Sequence, residues 1–164
     1  MATLKSLALP RASRFLAETP DPKAELAQKF LEYMFLMREV EERIEKKLYR
    51  QGKILGGVYV GRGQEAICVG AGLTADPDDF LFPSHRDMGL YFIRGVAPRQ
   101  VLAQYMGRVG GLTHGRDGNM HMGDLKLGIV SIISALAATV PVSAGVGLAL
   151  RYLGKSGAAF CYFG

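Results

Sequence analysis

Apolar side chains recur every three or four positions over residues 26–48, which is the spacing of one face of an α-helix. An α-helix of this length makes about seven turns. Asp21 is placed to cap its start and Pro22 to occupy its first turn. The apolar face contains methionines and aromatic residues and predicts a core or subunit contact rather than a cofactor site: Leu26, Phe30, Tyr33, Met34, Met37, Val40, Ile44 and Leu48.

Shorter apolar runs separated by glycine-rich turns follow this helix. The pattern predicts a helix of small residues, a short buried strand, a helix that begins directly after that strand, a further helix and a final buried strand. Helices that alternate with short buried strands favour an α/β fold with an open, mostly parallel sheet flanked by helices. In order, these elements are expected at residues 65–73, 80–82, 84–95, 97–106 and 158–163.

Residues 127–150 contain no charged side chain. The segment is long enough to cross a bilayer as a helix. It also contains serine, proline and glycine and lacks flanking aromatic residues, which favours a buried loop followed by a helix that begins near Pro141. A membrane-associated protein is therefore one alternative, and a protein with no membrane contact is the preferred interpretation.

The chain of 164 residues has a net charge of +5 and is long enough for one domain with its own core. We expect residues 1–22 to be a flexible lead-in and residues 23–164 to form the domain. Basic and acidic residues alternate along the first helix, and no dense basic block interleaved with aromatics occurs, so a nucleic-acid partner is not expected. Cys68 and Cys161 stand far apart without metal-ligand spacing. They predict neither a disulfide nor a zinc site, and they favour a cytoplasmic location.

Candidate chemistry is concentrated in two segments. In FPSHRDMG, the residues Ser84, His85 and Arg86 follow a strand, where a guanidinium and backbone N–H groups suit phosphate oxygens. The alternative for this segment is a surface cap formed by Arg86 and Asp87. The loop LTHGRDGNMHMGD contains His114 and His121, either of which suits proton transfer near neutral pH. Glycine spacings fit neither the nicotinamide nor the P-loop pattern.

Five segments in order carry a resemblance to a known family: GRGQEA, LFPSHRDMGLYFIRG, GRDGNMHMGD, SALAATVPVSAGVGLAL and AFCYFG. Together they resemble the alpha subunit of the decarboxylating component of 2-oxo acid dehydrogenase complexes, which uses thiamine diphosphate. The resemblance covers residues 26–164, or the first half of a usual alpha subunit. It implies a thiamine-diphosphate-binding fold that is incomplete at its carboxyl end here.

The resemblance also implies roles for individual residues. Family members have Tyr-Arg at the positions of His85 and Arg86, and both residues contact the cofactor's diphosphate; Ser84 stands just before them. Backbone at Ser134 and Leu136 resembles positions that face the aminopyrimidine ring. His121 matches the loop beside the active-site channel and is the candidate catalytic residue. Relatives have histidine at the position of Tyr59, which is left out of the predicted contacts.

The final strand of the family continues as FGDGA, and an asparagine follows about thirty residues later. The acid of that motif and the asparagine hold the Mg²⁺ that bridges the diphosphate, and oxygen ligands suit this ion. Gly164 corresponds to the first glycine of the motif, so we expect the metal ligands beyond residue 164 and none within the chain. The chain is then a truncated, split or incomplete product, and inactive by itself.

The main hypothesis is therefore part of a dehydrogenase that oxidatively decarboxylates a 2-oxo acid and transfers the acyl group to lipoamide. The resemblance implies a beta subunit in an α₂β₂ enzyme, which supplies the activating glutamate, and a lipoyl acyltransferase component. A non-catalytic assembly fragment that binds partners through residues 26–48 is the alternative from a different class.

Overall fold

A computed structural model of the chain describes residues 21–163. Five α-helices and two β-strands are found in this part of the chain, together with a π-helical segment, Ile44–Tyr49, and a short 3₁₀ turn, Leu125–Leu127. The predicted lead-in falls almost wholly outside the described residues. In chain order the elements are α1 (Pro22–Arg43), α2 (Glu65–Thr74), β1 (Phe80–Phe82), α3 (Met88–Ile93), α4 (Pro98–Tyr105), α5 (Thr139–Tyr152) and β2 (Ala159–Cys161).

Helix α1 begins as its sequence predicts. The Asp21 carboxylate accepts a hydrogen bond from the Lys23 amide at 3.0 Å, and Pro22 occupies the first turn. The middle of the apolar face is buried at Met37, Val40 and Ile44. The helix then continues as π-helical turns, which the spacing of apolar residues did not predict.

The two strands form a small parallel sheet in which Phe80 pairs with Ala159 and Phe82 with Cys161. On the other side of β1, Leu81 makes an isolated parallel bridge with Ile129. Parallel pairing needs long crossover connections, and here α3, α4 and α5 lie between the strands in sequence. The coarse prediction of an α/β chain with a parallel sheet is confirmed. The thiamine-diphosphate-binding fold stays a prediction.

One core joins α1, α2, α3 and α4 to the sheet. Its largest fully buried side chains include Tyr91, Tyr105, Phe82 and Met37. The Tyr91 hydroxyl donates to the Met122 carbonyl oxygen at 3.0 Å, which fastens the long loop at residues 107–124 to α3. This loop is therefore held against the core close to the end of β1.

One prediction about local structure needs correction. Helix α3 does not begin at Ser84, because residues 84–87 form a separate turn and the first helical residue is Met88. The prediction for the charge-free segment 127–150 is confirmed, since a loop comes first and helix α5 begins at Thr139, two residues before Pro141. Within residues 21–163, no helix combines the length and the apolarity needed to cross a membrane.

Candidate functional site

The carboxyl ends of β1 and β2 lie side by side. The Tyr162 amide donates to the Phe82 carbonyl oxygen at 3.0 Å, just past the last paired residues. In parallel α/β sheets, ligands are bound at this edge because the loops that leave the strands diverge there. The loops after β1 and β2 begin at this point, with Ser84 on the first and Phe163 on the second.

The turn after β1 is held by Asp87. Its carboxylate accepts hydrogen bonds from the Ser84 amide at 2.8 Å and from the Ser84 hydroxyl at 2.5 Å. Burial raises the pKa of Asp87, and the two Ser84 donors oppose that effect. The Ser84 hydroxyl proton is thus engaged within the turn. Ser84 shapes the loop and is not a hydrogen-bond donor that is available to a ligand.

Arg86 extends from this turn as an exposed side chain. The proposed Arg86–Asp87 cap is absent, since Asp87 binds Ser84, and no ion pair involves Arg86 in the part of the chain that the structure describes. A guanidinium without a carboxylate partner presents all its donors to an anion.

A cleft of about 470 Å³ opens beside the turn. Its walls bring together every predicted site residue except Gly164, which lies outside the described residues. The cleft contains one cationic side chain and no carboxylate. Its lining residues are Tyr59, Ser84, His85, Arg86, Asn119, His121, Ser134 and Leu136.

Three rings lie edge to face across this cleft. The His85 and His121 ring centroids are 5.6 Å apart, and those of Tyr59 and His85 are 5.8 Å apart. Burial lowers the pKa of His85, and the neighbouring His121 lowers it further. His85 is therefore a neutral hydrogen-bonding ring at pH 7.

His121 has partners at both ring nitrogens. Its Nε2 is hydrogen-bonded to the Ser134 hydroxyl, and its Nδ1 lies 3.4 Å from the Asp117 carboxylate. If Nδ1 carries the proton and faces the carboxylate, Nε2 accepts from the Ser134 hydroxyl. His121 and Ser134 thus line the cleft as a hydrogen-bonded pair, with the Asp117 carboxylate at the other ring nitrogen. His114, the other candidate, instead places Nδ1 3.3 Å from the Val109 carbonyl oxygen and does not line the cleft.

The segment that carries Ser134 and Leu136 has an unusual backbone. Ala137 has a φ of 60°, a left-handed conformation that residues with a Cβ rarely adopt. Leu136, immediately before it, is 81% exposed and forms one wall of the cleft. An uncommon backbone conformation next to an exposed apolar side chain is typical of a surface shaped for a ligand.

Two lining residues were not predicted from the sequence. Asn119 has a φ of 56° and donates its side-chain amide to the Gly57 carbonyl oxygen at 2.5 Å, so it joins two loops. Tyr59 reaches the cleft from the glycine-rich loop before α2. The glycines around both residues were the available signal, because they indicate a close approach of backbones.

A smaller cleft of about 290 Å³ adjoins the first and shares Ser84 and Arg86 with it. It is bounded by the end of β2 at Cys161, Tyr162 and Phe163. Arg86 is therefore accessible from both clefts. Across the described range 21–163, no group of three or more His, Cys, Asp or Glu side chains is arranged to hold a metal ion.

A parallel sheet flanked by helices, with a cleft that contains Arg86 beside the turn after β1, places the chain in the α/β class, whose ligand sites lie at this edge. Residues 32–164 match the family described as "Dehydrogenase E1 component", and the chain belongs to this family. The match includes every residue that lines the cleft.

Curated relatives are consistent with this assignment. The chain is 36% identical over 136 residues to the human "Pyruvate dehydrogenase E1 component subunit alpha, somatic form, mitochondrial", an alignment that covers 83% of this chain and 34% of that protein. It is 33% identical over 136 residues to the "Pyruvate dehydrogenase E1 component subunit alpha" of Zymomonas mobilis, with 82% and 38% covered. The chain thus spans about a third of the length of these relatives, less than the half that the resemblance implied.

Proposed function

We propose that this chain forms part of a thiamine-diphosphate-dependent 2-oxo acid dehydrogenase, which oxidatively decarboxylates a 2-oxo acid and passes the acyl group to lipoamide. Membership of the dehydrogenase E1 component family supports the class of enzyme. The observation that carries the proposal is the cleft at the carboxyl edge of the sheet, where Arg86 is the single cation and no carboxylate opposes it.

The residues present fit the cofactor's two ends. A diphosphate needs positive charge and hydrogen-bond donors, and Arg86 supplies a guanidinium with no ion-pair partner among residues 21–163. An aromatic ring system needs an apolar wall and a few polar contacts. The exposed Leu136 side chain and the Ser134 hydroxyl, which line the same cleft, provide these.

Thiamine diphosphate, when bound, supplies the reactive carbon centre for decarboxylation. In this proposal, Arg86 holds the diphosphate and the neutral His85 ring adds a hydrogen bond beside it. Ser84 keeps the turn in place through Asp87. Ser134 and Leu136 orient the ring, and His121, whose Nε2 is hydrogen-bonded to the Ser134 hydroxyl, is the residue that exchanges a proton beside it.

We further propose Mg²⁺ as the ion that accompanies the diphosphate, with ligands other than the described residues, since these contain no suitable cluster. No role assigned above depends on the metal. The assignment of Gly164 to the cofactor site also stays a prediction, as does the cytoplasmic location.

The proposed partners are a beta subunit, in an α₂β₂ enzyme, and a lipoyl acyltransferase component. Apolar side chains in the last turns of α5 and directly after it support a partner contact, because Leu148, Tyr152 and Leu153 are exposed in this structure. The alternative of a non-catalytic, partner-binding chain rests on a similar observation at α1, where Leu31 and Phe35 are exposed. The dehydrogenase proposal requires that the cleft binds thiamine diphosphate, whereas the partner-binding alternative does not.

Calorimetric titration of the chain with thiamine diphosphate and Mg²⁺ tests the proposal. We expect Arg86→Ala to weaken binding by about ten- to a hundredfold, because a charge-assisted hydrogen bond contributes roughly 1.5–3 kcal/mol. Arg99→Ala is the matched control, since Arg99 is also exposed but lies on α4 outside the cleft. Equal dissociation constants for the two variants would remove Arg86 from the site.

A further inference from the structure

Glu41 is the most buried acidic residue that the site described above does not use. Its side chain lies on the apolar face of α1, between Met37 and Ile44, and only 1% of it is exposed. Oε1 accepts a hydrogen bond from the Gly61 amide at 2.9 Å. Oε2 has no hydrogen-bond partner in the described part of the chain. Burying a carboxyl group with one unpartnered oxygen lowers the stability of the folded chain. Such a group in a native structure therefore needs a structural or functional explanation.

The partner of Glu41 belongs to the glycine-rich loop that precedes α2. A second buried glutamate, Glu65, accepts from the Gly63 amide at 2.9 Å in the same loop and pairs with Arg38 at 2.5 Å. Two carboxylates from two helices therefore hold successive glycine amides. The loop is thus fixed by polar contacts to the backbone of these two glycines, and the Arg62 side chain between them pairs with Glu45.

Gly61 touches the turn that carries Arg86. A Cβ on Gly61 would lie 2.1 Å from the Arg86 carbonyl oxygen and 2.7 Å from the Met37 methyl group. The φ of Gly61 lies outside the left-handed range, so lack of space, and not backbone conformation, explains the glycine. The backbones of the loop and the turn are thus in direct contact at this point. A Cβ on Gly63, by contrast, would meet nothing within 4 Å.

These contacts form a continuous path from the buried carboxyl of Glu41, through the Gly61 amide, to the backbone of Arg86. We propose that Glu41 is a positioning residue, which holds the loop at Gly61 and thereby sets where Arg86 stands in the cleft. The inference rests on the proposed function only in taking Arg86 as the anion-binding residue. It adds a role for a side chain that contacts no ligand itself.

The protonation of Glu41 is consistent with this role. Burial raises the pKa of Glu41 to about 7, and the Gly61 amide opposes that rise. The hydrogen bond to Gly61 requires only an acceptor oxygen, which both the carboxylate and the neutral acid provide. Glutamine also provides an acceptor, so Glu41→Gln should preserve the contact, whereas Glu41→Leu removes it at similar volume.

The test uses the ¹⁵N-labelled chain titrated with inorganic pyrophosphate and followed by NMR. We expect Glu41→Leu to weaken pyrophosphate binding about tenfold, the size expected when one buried hydrogen bond is lost. Amide hydrogen exchange at Gly61 and at residues 84–87 should accelerate in the same variant. Glu41→Gln should restore both properties, which a purely charge-based role would not allow.

Two further variants keep the test decisive. Glu41→Asp, which withdraws the carboxyl by one methylene, should show the same loss and serves if the leucine variant does not fold. Glu39→Leu is the matched control, because Glu39 is exposed on the same helix and should leave affinity and exchange unchanged.

Wild-type affinity and unchanged exchange at residues 84–87 in Glu41→Leu would overturn the inference, as would a glutamine variant as impaired as the leucine variant. If the proposed function is wrong, wild type and Arg86→Ala should bind pyrophosphate equally. The role of Glu41 is then tested by hydrogen exchange alone. Accelerated exchange at residues 84–87 that glutamine restores supports the role of Glu41, and unchanged exchange refutes it.

Discussion

Two buried glutamates at the same loop have pKa values that are shifted in opposite directions. The Arg38 guanidinium holds the pKa of Glu65 below its usual range, whereas burial raises the pKa of Glu41 to about 7. The difference follows from what each carboxyl faces. Glu65 has a cation at hydrogen-bond distance, and Glu41 has one amide and an unpartnered oxygen.

The raised pKa of Glu41 predicts a pH-dependent stability. Between pH 4.5, the usual pKa of glutamate, and about 7, the unfolded chain releases a proton that the folded chain retains. The free energy of unfolding therefore falls as the pH rises through this window, by roughly 3 kcal/mol. The charged or titratable groups that act on Glu41 or respond to it are Glu65, Arg38, Arg62, Cys68 and Tyr105.

Urea unfolding of wild type and Glu41→Gln at pH 5 and pH 8 measures this effect. Glutamine cannot titrate, so the variant should gain stability relative to wild type at pH 8 and little at pH 5. The neighbouring groups are present in both proteins, and their own titrations cancel in the comparison. Parallel pH profiles for the two proteins would show that Glu41 has an ordinary pKa.

At the scale of elements, two glycines differ in the space around them, and alanine is expected to have opposite effects on stability at the two positions. Gly61 has no room for a Cβ, whereas a Cβ on Gly145 within α5 would meet nothing within 4 Å. We expect Gly61→Ala to destabilise the chain by about 1–3 kcal/mol, because the loop or the Arg86 turn must move. Gly145→Ala should stabilise it by about 0.5–1 kcal/mol, because alanine favours the helix.

Thermal and urea denaturation of the two variants provide the measurement. The pair is informative because both changes add the same methyl group. A Gly61→Ala protein as stable as wild type would mean that loop and turn are not in backbone contact. Destabilisation by Gly145→Ala would mean that another surface covers α5 at this position.

Much of the element order was predictable from local pattern. Helix α1 and its cap, strand β1, and helix α4 after Ala97 follow from apolar spacing and from proline, whose effects act within a few residues. Residues 84–87 were predicted to be helical although they form a turn, because a side-chain contact fixes the conformation of this turn. The Asp87 carboxylate binds the Ser84 amide and hydroxyl, and periodicity does not report such contacts.

The candidate site was predictable only where motifs carried it. Ser84, His85, Arg86 and His121 were predicted from local sequence and supported by the resemblance, whereas Ser134 and Leu136 were predicted by resemblance alone. The structure gathers all six in one cleft. Glu41 was missed, although an acid on the apolar face of a helix was a visible signal. Its importance depends on Gly61 and Arg86, which are distant in sequence and meet only in the folded chain.

At the scale of the whole molecule, α5 has an exposed apolar face. Leu148 and Tyr152 are one helical turn apart on it, and 69% of Leu148 is exposed. Such a face is expected to be covered by a partner or by a second copy. We therefore predict that the chain elutes above its monomer mass of 17.8 kDa in size-exclusion chromatography with light scattering.

Leu148→Glu should shift this chain towards the monomer, because it places a charge in the apolar face. Val109→Glu is the matched control, since Val109 is also highly exposed but lies in the loop after α4. A wild-type monomer, or equal elution of both variants, would show that α5 is not the contact surface.

The central claim is that one cleft holds both ends of thiamine diphosphate, the diphosphate at Arg86 and the ring at Ser134 and Leu136. NMR mapping of the ¹⁵N-labelled chain tests it most directly. With Mg²⁺ present, inorganic pyrophosphate should shift the amide signals of residues 84–87, thiamine without phosphate those of residues 134–137, and thiamine diphosphate both sets. Signals that shift instead around Lys126 and Lys155, which line a separate cleft, or no shift with any of the three compounds, would contradict the account.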